Sequence, residues 1–249
     1  MITLTNVHKT FYEKHNQSHR VLRDISITFE QGKVTALLGE NGAGKTTLLR
    51  LLSGLYEPTG GEVALDGVPF DLNNHRQRSS IGVHFGSDTG LYDRLTAREH
   101  LEYFAKLYAI PKQETKQRIT KLSNELGMRD FLNKRVRKLS KGMRQKVAIS
   151  RAMIHNPSIY LLDEPSTGLD ITSANMFREK ILQLKRDQQT IVFSTHLMEE
   201  VDMLCDDVVI LHRGAVLYHG SLQNLYKEEE TTDMNMILMA MLARGGRVT

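Results

Sequence analysis

The sequence predicts an α/β fold, with a mainly parallel sheet between helices and a helical insertion in the middle of the chain. Three observations predict it. Short apolar runs at 34–38, 159–162, 190–194 and 208–211 have the length of buried strands and alternate with helix-patterned segments. A glycine-rich turn joins the first of these runs directly to a helix. Between about residues 91 and 156 the strand pattern gives way to helical periodicity.

The elements follow in order. Residues 2–7 and 25–29 alternate as strands do, and the polar stretch 13–19 between them reads as a loop. The run 34–38 meets the glycine-rich turn. Leu48, Leu49, Leu51 and Leu52 then suit a packed helix over 45–52, stopped by Gly54 and Pro58. Residues 62–65 and 68–70 flank Asp66-Gly67, a pair that favours the positive φ of a type I′ turn, so they read as a hairpin. In the helical middle, Thr96 and Glu99 have the spacing of a capping box, and Pro111 is expected to end the helix they start. A second helix covers 113–126, and a third begins after Ser140 and ends before Pro157. Alternation resumes with a strand at 159–162, a helix at 173–185, and strands at 190–194 and 208–211.

Composition narrows the function classes. Forty per cent hydrophobic and 25% charged residues describe an ordinary folded chain that needs no disulfides or metal staples. A single cysteine, Cys205, excludes an internal disulfide and a cysteine-rich zinc site, and fits a reducing compartment. No segment approaches the roughly 20 apolar residues of a membrane span, and the first ten residues lack the apolar core of a signal peptide. Thirty-three basic against 29 acidic residues leave a net charge of +4. That suits a phosphate-bearing ligand or an anionic surface and is too small to argue for nucleic acid. The basic run at 134–138 reads as a solvated face.

The turn after the first buried strand is Gly39-Glu-Asn-Gly-Ala-Gly44-Lys45-Thr46, a complete phosphate-loop pattern placed between a strand and a helix. Its glycines let backbone N–H groups converge on phosphate oxygens, and the helix adds the positive end of its dipole. Gly39, Asn41, Gly42, Ala43, Gly44, Lys45, Thr46 and Thr47 are the candidate ligands. Lys45 is expected to reach the β- and γ-phosphates, and Thr46 to place its hydroxyl on Mg²⁺. The strand at 159–162 ends in Asp163-Glu164, at the edge where an α/β sheet binds its ligand. Asp163 is the expected partner of Mg²⁺. Glu164 is placed to orient or deprotonate a water attacking the γ-phosphate.

One further segment, Leu139-Ser140-Lys141-Gly142-Met143-Arg144-Gln145, resembles the LSGGQ signature of ATP-binding-cassette (ABC) transporter ATPases. In the same order, Ser166 to Asp170 is similar to that family's D-loop and His196 to its switch histidine. The resemblance covers residues 2–222. It implies a RecA-like P-loop core at 1–87 and 157–222, an inserted helical subdomain at 88–156 and an N-terminal antiparallel β-subdomain; the tail at 223–249, outside the resemblance, is expected to be helical. It also implies two ATP molecules, with Mg²⁺, sandwiched in a head-to-tail dimer. Ser140 and Gly142 would then serve the neighbour's γ-phosphate, while His196 would contact its own. Asp170 would link the two sites, and Phe11 matches the aromatic position that stacks on adenine, with Tyr12 as the less favoured occupant. There is one departure. Gly86 stands where the family usually has a glutamine that touches Mg²⁺ and the lytic water, leaving water, Ser87 or Asp88 to substitute.

The signature variant and the stretch 90–96 resemble exporter-type cassettes, and the His84-to-Ser87 loop is similar to sodium-extrusion (Nat-type) and antibiotic-export ATPases. The implied partners are ATP, a second copy or homologous cassette, and transmembrane permease subunits, with no nucleic acid. The implied place is the cytoplasmic face of the cell membrane, held there by the permease. The other readings are a soluble non-transport cassette ATPase and a regulatory nucleotide-binding protein that has lost hydrolysis. The methionine-rich segment 234–243 reads either as a docking helix or as a helix packed on its own domain.

Overall fold

The computed structural model describes residues 1–12, 18–71, 73–86 and 90–245. Strand β1 (Ile2–Tyr12) buries Ile2, Leu4 and Val7, and β2 (Ser18–Phe29) buries Leu22, Ile25, Ile27 and Phe29. They pair antiparallel with Ile2 opposite Phe29 and Phe11 opposite His19. Both strands outrun the sequence expectation. Beyond Val7 the ribbon leaves the core, and register shifts at Leu4, Val7 and Lys9 break the period-two pattern that marks a half-buried strand. Ser18 and His19 therefore belong to β2 and not to a loop, while residues 13–17 lie outside the described residues.

All five residues of β3 (Val34–Leu38) are buried, as its unbroken apolar run requires. Helix α1 (Lys45–Leu52) follows, then β4 (Gly60–Leu65) and β5 (Val68–Pro69). Asp66 and Gly67 between them both have positive φ, 51° and 76°, as the type I′ hairpin demands. The short α2 (His75–Ser79) leads to β6 (Ile81–Phe85).

In the helical middle, α3 (Ala97–Leu107) carries the predicted box. Thr96 Oγ1 accepts from the Glu99 N–H at 3.1 Å, and the Glu99 carboxylate accepts from the Thr96 N–H at 2.8 Å. This helix ends before Pro111 can stop it, because Ala109 takes a left-handed φ of 54°. Pro111 instead precedes α4 (Lys112–Glu125), and Ser140 precedes α5 (Lys141–Met153).

The remainder is β7 (Ile159–Asp163), α6 (Ile171–Arg186), β8 (Thr190–Ser194), α7 (Met198–Leu204), β9 (Asp207–His212), β10 (Ala215–Ser221), α8 (Leu222–Glu228) and α9 (Met234–Gly245). The sequence pattern passes over α2, α7, α8 and β10. The last is an edge strand with no fully buried residue, so it has no apolar alternation to read.

The strands form two sheets, an antiparallel β2-β1-β4-β5 and a larger β10-β9-β3-β8-β7-β6 that is parallel except for β10. Alternate residues of the parallel strands enter different cores. Leu37, Leu161, Val192 and Val209 pack with α1 and the antiparallel sheet. Leu38, Leu162, Phe193 and Ile210 pack with the helical middle and with α6 to α9. Close packing against the middle needs Gly82 on β6, where a Cβ would run into the backbone carbonyl of Ala152 on α5. Helix α9 buries Met234 and Ile237 in this second core and leaves Met236 and Met239 exposed.

Candidate functional site

The carboxyl ends of β3, β7 and β8 lie side by side, with Asp163 opposite Ser194 in register. The phosphate loop leaves β3 there. Gly39 has φ 143°, and a Cβ on it would strike the backbone carbonyl of Leu211 in β9. Gly44, at the N-cap of α1, has φ 107°. The loop is held from outside by the Gly214 N–H, which donates to the Ala43 carbonyl at 3.0 Å. Lys45 is buried, and its ammonium donates to the carbonyls of Gly39 at 2.6 Å and Glu40 at 3.0 Å. Burial lowers the pKa of this ammonium, opposed by the charges of Glu164 and Asp163.

Thr46 and Asp163, 117 residues apart, meet at this edge. The Thr46 hydroxyl donates to Asp163 Oδ2 at 2.8 Å, and the Ser194 hydroxyl donates to Oδ1 at 2.6 Å. Next to them Glu164 has a left-handed φ of 48°. Its N–H is held by Ser194 Oγ at 2.9 Å and by the Ser194 carbonyl at 3.2 Å. Its carboxylate lies 2.7 Å from His196 Nε2 and accepts from the Thr167 hydroxyl at 3.4 Å.

The cleft over the loop is lined by Asn41, Gly42, Gly44, Lys45, Thr46, Thr47 and Glu164, together with His19 and Val21 of β2. A second hollow adjoins it, bordered by Gly86, Lys141, Gln145, Asp163, Glu164 and Thr167. Glu164 belongs to both. Gly86 has φ 70°, and Ser87 and Asp88, named as its substitutes, lie outside the described residues.

Other expected residues are not among those that line the cleft over the phosphate loop. Ser140 is exposed and caps α5, its hydroxyl accepting from the Met143 N–H at 3.3 Å. Gly142 packs close under the Gly168 carbonyl. Asp170 is exposed and caps α6, and the hydrogen bonds it accepts from Ser173 hold its carboxyl below the usual range. Phe11 is half-buried with its ring edge-to-face on Tyr56, centroids 5.3 Å apart. Its cross-strand partner His19 is the residue of that pair that lines the cleft. Tyr12 is exposed.

Sequence reasoning passed over His19 and Ser194, and named Gln145 only as the last residue of the signature-like segment. Neither His19, in a polar stretch, nor Ser194, at the end of a predicted strand, carries a local pattern that marks it as part of the site.

The model of the family described as ABC transporter matches residues 22–167. The chain is 53% identical over 245 residues to the ABC transporter ATP-binding protein NatA of Bacillus subtilis, covering 98% of this chain and 99% of that one. It is 39% identical to an uncharacterized ABC transporter ATP-binding protein of Synechocystis, over 86% of this chain and 60% of that relative. A solved ATP-binding subunit of an ABC transporter superposes with a TM-score of 0.85 at 28% identity, over 97% of this chain and 99% of that one. A dimeric ATP-binding cassette in a post-hydrolysis state with ADP and Pi gives 0.80 at 27% identity, over 89% and 98%. The phosphate loop, the strand-end carboxylates and these likenesses lead to one conclusion: the chain belongs to the ABC transporter family and is its ATP-hydrolysing, ATP-binding subunit.

Proposed function

We propose that this subunit powers a membrane exporter, of sodium ions or drugs, by ATP-driven head-to-tail dimerisation. The observation that carries the hydrolytic part is the convergence of Lys45, Thr46, Asp163, Glu164 and His196 at one sheet edge, from segments up to 151 residues apart. Backbone N–H groups of the loop and Lys45 bind the β- and γ-phosphates. Thr46 and Asp163 present adjacent hard oxygen donors. Among the described residues no group of three or more His, Cys, Asp or Glu side chains offers a complete metal cage. Thr46 and Asp163 would hold Mg²⁺, an ion that binds through one or two protein oxygens beside water and substrate phosphates. The ion would supply charge neutralisation between the phosphates. Glu164 orients the attacking water and accepts its proton, and His196, on the same carboxylate, reaches the γ-phosphate.

Dimerisation accounts for Ser140, Gly142 and Asp170, which do not line the cleft over the chain's own phosphate loop. It also accounts for Ile171, 83% exposed directly after Asp170. Phe11, or His19 beside it, receives the adenine. The permease subunits dock between the Gly86 region and the helical middle; in the middle, Tyr92, Tyr103 and Leu107 are exposed. In this reading the permease holds the chain at the cytoplasmic face of the membrane; among the described residues no helix is long and apolar enough to cross one. The division into core (1–87 and 157–222), helical subdomain (88–156) and tail (223–249) is part of the same reading. Export rests on the exporter-like signature and on the similarity of the His84-to-Ser87 segment to sodium-extrusion and antibiotic-export ATPases.

Glu164→Gln tests the proposal. It should keep ATP binding, lose about 10²–10⁴ in turnover and elute as an ATP-bound dimer. A variant that stays monomeric with ATP, or turns over like wild type, contradicts it. Sodium efflux from cells carrying the chain with its membrane partner tests the substrate.

A further inference from the structure

Gln145 lies on α5, five residues past Ser140, and is fully buried. Its side chain crosses to the edge of the parallel sheet. There the amide nitrogen stands 2.7 Å from the Pro165 carbonyl, 3.3 Å from the Glu164 carbonyl and 3.1 Å from Nε2 of His84. His84 is the fourth residue of β6, has no exposed surface, and precedes Gly86 by two positions. One amide therefore joins the signature helix, the strand before Gly86 and the turn that carries Glu164.

The chemistry fixes which atom faces which. An amide has two N–H donors, and the two carbonyls can only accept. A flipped amide would set its oxygen against both, so the nitrogen faces them, and the imidazole must offer an unprotonated Nε2. Burial and the charge of Arg151 keep His84 neutral, its pKa pushed down to about 3. One N–H serves Pro165, and the other is divided between His84 and Glu164.

The turn needs such a holder. A non-glycine residue at φ 48° costs on the order of 1–3 kcal/mol and persists only where its surroundings over-determine it. The N–H of Glu164 is clamped by Ser194 on β8. Its carbonyl is clamped by Gln145 on α5.

We infer that Gln145, oriented by His84, is a positioning residue that ties the helix headed by Ser140 to the backbone of Glu164. A displacement of α5 then moves the Glu164 carboxylate. In the head-to-tail dimer Ser140 answers to the neighbour's nucleotide, so the amide passes one site's occupancy to the other site's hydrolysis. The inference rests on Glu164 being the hydrolytic carboxylate.

The test measures kcat, KM and fluorescent-nucleotide affinity for the full chain and for Gln145→Met, His84→Phe, their double variant and Glu164→Gln. Gln145→Met should lower kcat about 10- to 100-fold, the scale of a misplaced catalytic group, with nucleotide affinity unchanged. His84→Phe should lower kcat by a smaller factor. The double variant should be no worse than Gln145→Met alone, because His84 acts through Gln145. A lowered melting temperature with wild-type kcat marks a merely structural role and overturns the inference. So do additive losses in the double variant. An active Gln145→Met beside an inactive Glu164→Gln overturns the relay and leaves the Glu164 assignment standing, whereas full turnover in Glu164→Gln removes that assignment itself. One readout does not depend on any Gln145 variant folding. The Gln145 side-chain amide should exchange slowly with solvent and shift its resonance in His84→Phe. Fast exchange in the wild type overturns the assignment.

Discussion

Ser194→Ala removes one buried hydroxyl that holds both acidic residues of the site. Ser194 has no exposed surface. Its Oγ donates to Asp163 at 2.6 Å and accepts from the Glu164 N–H at 2.9 Å. A hydrogen bond to a charged group is worth about 1.5–3 kcal/mol net and a neutral one about 0.5–1.5 kcal/mol. Neither partner is fully orphaned by the change. Asp163 keeps the Thr46 hydroxyl, and the Glu164 N–H keeps the Ser194 carbonyl at 3.2 Å. The expected loss is therefore near the lower end of the sum, about 2 kcal/mol. Guanidinium unfolding measures it, read as a fall in midpoint at unchanged slope. Turnover should fall as well, since the Glu164 backbone loses one of its tethers. A stability loss under about 0.5 kcal/mol would mean the hydroxyl contributes less than a typical single hydrogen bond, and would refute the reasoning.

Four more outcomes are expected. Lys45→Ala should nearly abolish nucleotide binding or turnover, because it removes the loop's side-chain cation; a well-folded variant with full ATPase activity refutes the phosphate-loop assignment. Ser140→Arg should leave ATP binding by the monomer intact and block turnover; weakened binding by the monomer would place Ser140 at its own nucleotide. Gly86→Gln, which restores the family's usual residue, must hold a side chain at φ 70° and should cost about 1–2 kcal/mol, seen as a lowered melting temperature; an unchanged one means the loop relaxes freely. Acid should destabilise the chain. Burial pushes His84 down to about 3, and His100 and His155 to about 4, from an ordinary 6.5. The unfolded chain therefore takes up protons that the folded chain refuses. Stability is full above pH 6.5 and falls as pH drops towards 4. Denaturant midpoints across that range check it, and His100→Phe should flatten the slope.

What could be read beforehand follows from what the chain buries. Strands covered on both faces, such as 34–38 and 190–194, leave an unbroken apolar run and were legible. So were Lys45, Thr46, Asp163 and Glu164, because a phosphate loop and a strand-end acid pair are local patterns. Ser194 and Gln145 were not. Serine at a strand end and glutamine on a helix are unremarkable until register sets one beside Asp163 and packing sets the other under Glu164. His19 was hidden for another reason. It lies on a ribbon that has left the core, where water removes the alternation that identifies a strand.

The strand order has a consequence for biosynthesis. The phosphate loop hangs from β3, whose two neighbours in the sheet are β8 and β9, both more than 150 residues further along the chain. The loop's own clamps, the backbone at Leu211 and the N–H of Gly214, come later still. A nascent chain emerges from its amino end, and pairings this distant in sequence are slow to close. The helical middle, by contrast, is stitched by contacts close along the chain and can form as it appears. A ribosome that stalls at residue 190 has therefore made every residue of the phosphate loop and neither strand that flanks β3, which leaves both edges of β3 unpaired and open to aggregation.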